Sequence, residues 1–323
     1  MSDQNEKTRV GLLDGLELPP PSPLGAREAF IVAHDRLKGL ARIARCPAVL
    51  VAAVDERARV VGAVIVESGD SLVIGRHTRC GLRLESNTVS LRQLAVYARS
   101  ESPGAAPVIR LWDLNTQHPF LTEDGQRNAA VSAQGMLYAA VDEYALLLIP
   151  TRGPSEPPWP ERAEDAWNAL PPRQFVDRSL PNAVRLQHSQ RLRLDGQPYH
   201  TQVTREIPLM MLGEHEGPED VWGELQLVGT KKLESHRISL ERLEQGVLLG
   251  RYDRCGIPLT ELHSVSRVHL LLVQLGEELL AIDTASTNGT CRGRTRIETT
   301  TLDDVDSLEL GGALQLHWRR LQS

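Results

Sequence analysis

The chain has 323 residues, 41% of them apolar and 24% charged, which suits about two globular domains and excludes a disordered polymer. A net charge of −6 argues against nucleic acid as a partner, and no apolar run is long enough for a membrane-spanning helix. The polar start "MSDQNEKTRVGLLDG" has no apolar signal region, and the four cysteines (Cys46, Cys80, Cys255, Cys291) form no CxxC pair, so a reducing cytoplasm is the expected location.

In chain order, residues 27–45 come first. Phe30, Ala33, Leu37, Leu40 and Ile43 or Ala44 recur at helical spacing, with Arg36, Lys38, Arg42 and Arg45 beside them. A basic amphipathic helix can lie on a membrane surface. Packing on the first domain with a solvated charged face has the greater prior. Short β-rich runs follow, such as "GAVIVESGDSLVIGR", and later "VWGELQLVGT", "GVLLGR", "SRVHLLLVQLGEELLAID" and "SLELGGALQLHW". Gly, Asn and Asp punctuate them at sandwich-like or barrel-like spacing. Between the two sets, residues 151–186 hold many prolines and read as a linker. Trp159, Trp167 and Phe175 predict that it lies against a domain surface. Residues 187–220 carry no clear pattern.

The chain repeats itself. "LVIGRHTRCGLRL" at 72–84 aligns with "VLLGRYDRCGIPL" at 247–259, so Gly75, Arg76, Arg79, Cys80 and Gly81 match Gly250, Arg251, Arg254, Cys255 and Gly256. "VSLRQLAVYA" at 89–98 then parallels "VSRVHLLLVQ" at 265–274, and "VIRLWDLNTQHPF" at 108–120 parallels "LLAIDTASTNGT" at 279–290. Two diverged copies of one domain fit the length.

In the second copy, Gly250-Arg251, Ser266-Arg267 and Ser286-Thr287-Asn288-Gly289-Thr290 fall at strand ends and in a loop, which a sandwich can gather at one end. The set is rich in hydrogen-bond donors and holds no nucleophile–base pair. Arginine presents a fixed fork to phosphate oxygens, hydroxyls and turn N–H groups can complete a ring around a dianion, and asparagine can grip a peptide backbone. His263 and His269 do not have a convincing metal spacing. Taken singly, Arg251 suits a surface ion pair, Ser266 a cap, His269 a satisfied core histidine and "STNG" a plain hairpin turn. Their ordered co-occurrence favours a phosphoamino-acid pocket.

The order "GR", "SRVH", "DTASTNGT" resembles the forkhead-associated (FHA) domain over roughly residues 222–320. The later "TLDDVDSLELGG" also resembles that family, with Val305 where it usually has glycine. The resemblance implies an all-β chain of two tandem FHA-like sandwiches joined by a Pro-rich linker, with a short N-terminal helix. Expected boundaries are 1–47, 48–150, 151–221 and 222–323. It further implies phosphothreonine-peptide binding, with Arg251 and Ser266 on the phosphate and Arg267 supporting the phosphate or the flanking peptide. Thr287 would stand on the phosphate side and Asn288 on the peptide backbone, while Gly250, His269, Gly289 and Thr290 shape the loops. The first copy keeps Arg76 and Ser90 but has Leu91, Gln93, His118 and Pro119 where the second has Arg267, His269, Asn288 and Gly289. Proline cannot supply the glycine's turn, so this copy is expected to keep the fold and lose or weaken phosphate binding. The expectation is a non-enzymatic adaptor without metal or cofactor. Its partner would be a Thr-phosphorylated protein, a Ser/Thr kinase or its substrate, and the first domain could support a homodimer. The rival is a phosphorylation-independent scaffold. An enzyme site within 151–220 has little support, because no Gly-rich phosphate loop, GxSxG or HExxH occurs there.

Overall fold

A computed structural model describes residues 22–44, 47–151, 158–171, 221–229 and 233–321, together with the backbone of the strands Gln174–Asp177, Ala183–Val184, Gln190–Arg193, His200–Thr204 and Ile207–Pro208. Cys46, Arg45 and the Phe175 side chain lie outside the described residues.

Each copy folds into two facing sheets. In the first, one sheet runs in the order Val60–Glu67, Ala48–Val54, Tyr144–Thr151, Leu137–Val141, Phe120–Thr122, Arg127–Asn128. In the second the corresponding order is Leu233–Ser239, Val221–Val228, Leu314–Arg320, Val305–Leu310, Thr290–Arg292, Thr295–Ile297. The opposing sheets also correspond. Leu82–Arg83, Ser71–Gly75, Leu94–Arg99, Val108–Asp113 and Ala130–Gln134 match Ile257–Pro258, Val247–Gly250, Leu270–Leu275, Glu278–Asp283 and Thr299–Leu302. The repeat is therefore a repeat of topology.

Continuous apolar runs are strands buried on both faces. In Ala48–Val54, the side chains of Val49, Val51 and Ala53 enter the core between the sheets, while those of Ala48, Leu50, Ala52 and Val54 enter a second core outside it. The helix Ala26–Ile43 covers that outer core with Ala29, Phe30, Ala33 and Leu37, all fully buried. Ala44 is 8% exposed and Ile43 is 65% exposed, so Ala44 is the residue that turns inward at the helix end. Trp159 stacks on Phe30 at 5.8 Å and Trp167 tilts against it at 5.4 Å, so residues 158–171 of the proline-rich stretch lie on the helix. Beyond it, Gln174–Asp177 pairs antiparallel with Ala130–Gln134 and parallel with His200–Thr204, extending the first copy's sheet. Val221–Val228, the second copy's counterpart of Ala48–Val54, instead alternates buried and half-exposed positions.

Other doubly buried runs join the two sandwiches. Leu270 and Leu272 fill the second sandwich's own core, whereas Leu271 and Val273 face the other way. There they share one core with Val73, Ala95, Tyr97 and Trp112 of the first copy. Corresponding positions of both copies enter it: Val73 and Leu248, Cys80 and Cys255, Ala95 and Leu271, Tyr97 and Val273, Trp112 and Ile282. Arg99 closes the edge with a two-pronged ion pair to Glu278, one prong at 2.6 Å. Among the described residues, no helix is long and apolar enough to cross a membrane.

Candidate functional site

The "GR…SR" pairing has a backbone cause. Arg251 N–H donates to Ser266 O at 2.9 Å and Tyr252 N–H to Arg267 O at 2.9 Å, so the strand end lies directly against the Ser-Arg segment. A Cβ on Gly250 would stand 2.2 Å from the Arg267 carbonyl oxygen, a contact that only glycine avoids. The first copy repeats each feature. Arg76 N–H donates to Ser90 O, His77 N–H to Leu91 O, and a Cβ on Gly75 would stand 2.7 Å from Leu91 O. The cysteines of the two blocks turn their thiols onto the same carbonyls, Cys80 onto Leu91 O and Cys255 onto Arg267 O. Burial pushes both thiols up to about 11.

The loop Thr284–Gly289 is organised from Asp283. Its carboxylate accepts from Ser286 N–H at 2.7 Å, Ser286 Oγ at 2.6 Å and Thr290 Oγ1 at 2.7 Å. Ser286 Oγ accepts in turn from Gly289 N–H at 3.0 Å, and Gly289 has a φ of +87°. His269, fully buried, ties this loop to the Ser-Arg segment. Its Nδ1 accepts from Ser266 N–H at 3.0 Å, so Nε2 carries the proton and donates to Gly289 O at 3.2 Å. Burial is the main cause holding His269 below the usual histidine value, against the nearby Asp283 carboxylate. Between the segments, Ser266 Oγ accepts from Thr287 N–H at 2.9 Å and Asn288 Nδ2 donates to Ser264 O at 2.8 Å. Arg251 Nε is buried without a hydrogen-bond partner.

Arg251, Ser266, Thr287 and Asn288 thus lie on segments that these hydrogen bonds hold side by side. Gly250, His269, Gly289 and Thr290 sit in the framework beneath them. Arg267 is exposed and lines a different space, a cleft of about 540 Å³ between the sandwiches that also takes in Arg76, Ser90 and Arg254.

The first copy's loop keeps its outline. Asp113 accepts from Thr116 N–H and Oγ1, both at 2.7 Å, as Asp283 does from Ser286. Gln93 replaces His269 bond for bond: its Oε1 accepts from Ser90 N–H at 2.9 Å and its Nε2 donates to His118 O at 3.2 Å. Asn115 and Ala285, at matching positions, have φ of +59° and +58°. Pro119 therefore leaves the turn standing, contrary to expectation. The positive φ that the turn needs early falls on Asn115, and the Asp113 and Gln93 bonds hold the rest.

Three arginines escaped the sequence reading. Arg92, 7% exposed, crosses the interface and donates to Ala285 O from Nε at 3.1 Å and from Nη2 at 2.7 Å. Arg79 Nη1 reaches Ser286 O at 3.5 Å, and Arg296 Nη2 donates to the same oxygen at 3.2 Å. Arg79 belongs to the repeated block, which was the available signal. Arg92 aligns with Val268, so nothing in the repeat marked it.

Among the described residues, no group of His, Cys, Asp and Glu is arranged to hold a metal ion. A family model described as the FHA domain matches residues 247–311. No curated protein matches the chain. Among solved structures, the FHA-1 domain of Rv1747 from Mycobacterium tuberculosis is 21% identical, covering 31% of this chain and 99% of its own, with a TM-score of 0.26. An FHA domain studied for phosphothreonine-dependent interactions is 27% identical, covering 32% of this chain and 99% of its own, with a TM-score of 0.27. The FhaA FHA domain, solved with the intracellular domain of Rv3910, is 27% identical over 30% of this chain and 99% of its own, with a TM-score of 0.26. The chain carries an FHA domain at residues 247–311, within its second sandwich, and its first sandwich repeats the same strand order.

Proposed function

We propose that the second sandwich binds a phosphothreonine-containing peptide and that the chain acts as an adaptor, not a catalyst, in signalling by a Ser/Thr kinase. The observation that carries this reading is the Arg251 guanidinium. Its Nε is buried and unpartnered, and no ion pair engages it among the described residues. Arg251 N–H donates to Ser266 O, and the Ser266 hydroxyl accepts from Thr287 N–H, so the three residues lie on adjoining segments. An unsatisfied buried donor is costly unless a ligand pairs with it. A phosphate dianion supplies the oxygens that Arg251, Ser266 and Thr287 can share.

Asn288 donates to Ser264 O through Nδ2 and has its Oδ1 for a peptide N–H beside the phosphothreonine. Arg267 stands further out and suits residues flanking the phosphate. A homodimer through the first sandwich would have to use a face other than the one already packed on the second.

The test is binding of the full chain to a degenerate phosphothreonine peptide library, with phosphoserine and unphosphorylated libraries alongside. Charge-assisted hydrogen bonds contribute about 1.5–3 kcal/mol each, so Arg251→Ala should weaken phosphothreonine binding about tenfold or more. Equal binding of the phosphorylated and unphosphorylated libraries, unmoved by Arg251→Ala, would overturn the reading and leave a phosphorylation-independent scaffold.

A further inference from the structure

The cleft between the sandwiches is lined by Arg76, Ser90, Arg92, Arg254 and Arg267, with Tyr252 and the first copy's loop 114–118 completing the wall. Not one aspartate or glutamate lines it. That is unexpected in a chain of net charge −6. A surface hollow elsewhere on the second sandwich, by contrast, is lined by Glu277, Glu278, Asp303 and Asp304. Gathering guanidiniums on a wall without carboxylates costs electrostatic energy, which Asp113 near Arg254 and Asp283 near Arg92 offset only from outside the cleft and an anionic ligand inside it would offset further.

The geometry of the individual groups supports a phosphoryl ligand. Arg76 spends only its Nε, on Val89 O at 3.2 Å, which leaves both Nη groups to form a fork. Ser90 donates its N–H to Gln93 Oε1, and no hydrogen bond engages its hydroxyl among the described residues. Arg254 is held in place from two sides. Asn115 Nδ2 donates to its carbonyl, and its guanidinium lies 5.9 Å from the Tyr252 ring centre. No ion pair engages Arg76, Arg254 or Arg267 among the described residues. Arg92 is committed to Ala285 O and contributes charge only.

We propose that this cleft is a second phosphoryl-group site, shared between the sandwiches, which takes a phosphorylated segment of a polypeptide. The first copy lacks the second copy's arginine at Leu91 and its Asn-Gly pair at His118-Pro119. Arg254 and Arg267 of the other sandwich stand in for those missing donors. The first copy is therefore completed by its neighbour instead of being silent. A cleft of about 540 Å³ is far larger than one phosphate ion, and its wall carries the amide of Gln117 for a peptide backbone. Arg251, Ser266, Thr287 and Asn288 do not line it, and Arg267 is the one residue that the two sites would share.

The test uses the full-length Arg251→Ala chain, in which the C-terminal site is weakened about tenfold or more. Arginine modification by phenylglyoxal is followed by peptide mass spectrometry, with a phosphothreonine library, the unphosphorylated library or inorganic phosphate present. The phosphothreonine library should slow modification of Arg76 and Arg254 severalfold, and inorganic phosphate should do so only at higher concentration. Adding Arg254→Gln, a substitution at an exposed position, should weaken the remaining library binding about tenfold; Arg76→Gln should do the same. Equal protection by unphosphorylated peptides, protection by inorganic phosphate alone, or no protection of Arg76 and Arg254 in the Arg251→Ala chain would each overturn the proposal.

Discussion

At the scale of the residue, one substitution between the copies is its own experiment. His269 and Gln93 make the same two bonds, accepting from a serine N–H and donating to a loop carbonyl, but only the histidine titrates. Burial keeps the folded His269 below the ordinary value of about 6.5 that it regains on unfolding. The unfolded chain therefore takes up a proton that the folded one refuses. This contribution to stability is complete above about pH 6.5 and is lost as pH falls through it. His269→Gln should keep the loop bonds and flatten the fall in melting temperature between about pH 7.5 and 5.5. An unchanged slope would assign the acid sensitivity to other groups. The framework residues here were legible because each bond is local to a motif. Arg92 and Arg296 were not, since they meet the loop only in the folded chain.

At the scale of the element, the loop from Asp283 to Thr290 is held from both sides. Asp283, Ser286 and His269 brace it from within its own sandwich, and Arg92 holds the Ala285 carbonyl from the other. Ala285 sits at φ +58°, a conformation that costs a non-glycine residue about 1 kcal/mol and persists only where its surroundings impose it. Arg92 adds to the constraint that Asp283 and His269 impose, so it is a positioning residue. Arg92→Leu should lower phosphothreonine-peptide affinity severalfold while Arg251 remains in place. Hydrogen–deuterium exchange at residues 284–289 should rise together with the loss. Unchanged exchange with reduced affinity would point to lost charge instead of a loosened loop. The alternation in Val221–Val228 and Leu314–Arg320 is readable as strand with one face in solvent. The unbroken apolar runs in Ala48–Val54 and Leu270–Val273 are ambiguous in sequence, because periodicity does not say what covers the second face.

At the scale of the whole molecule, the two sandwiches share a core. Removing the first would bare Leu248, Leu271, Val273, Leu280 and Ile282 together, a contiguous patch of the kind that drives association. It would also free the Ala285 carbonyl from Arg92. An isolated 215–323 fragment should therefore self-associate in light scattering and bind phosphopeptide more weakly than the full chain. A monomeric fragment of full affinity would show that the shared core is dispensable.

The sequence by itself determined the repeat, the β-sandwich class and the set of loop residues. These depend on short-range spacing: a glycine where a neighbouring backbone comes within 2.2 Å of the missing Cβ, and an aspartate three residues before the hydroxyl that it caps. Only the tertiary structure decided that the helix Ala26–Ile43 covers the first sandwich, that strands from the proline-rich region extend its sheet, and that the two copies lie face to face. It also brought Arg76, Arg254 and Arg267 to one cleft. The physical reason is that burial and charge convergence are properties of surfaces. Residues about 175 positions apart share a surface only once both copies have folded and closed on one another.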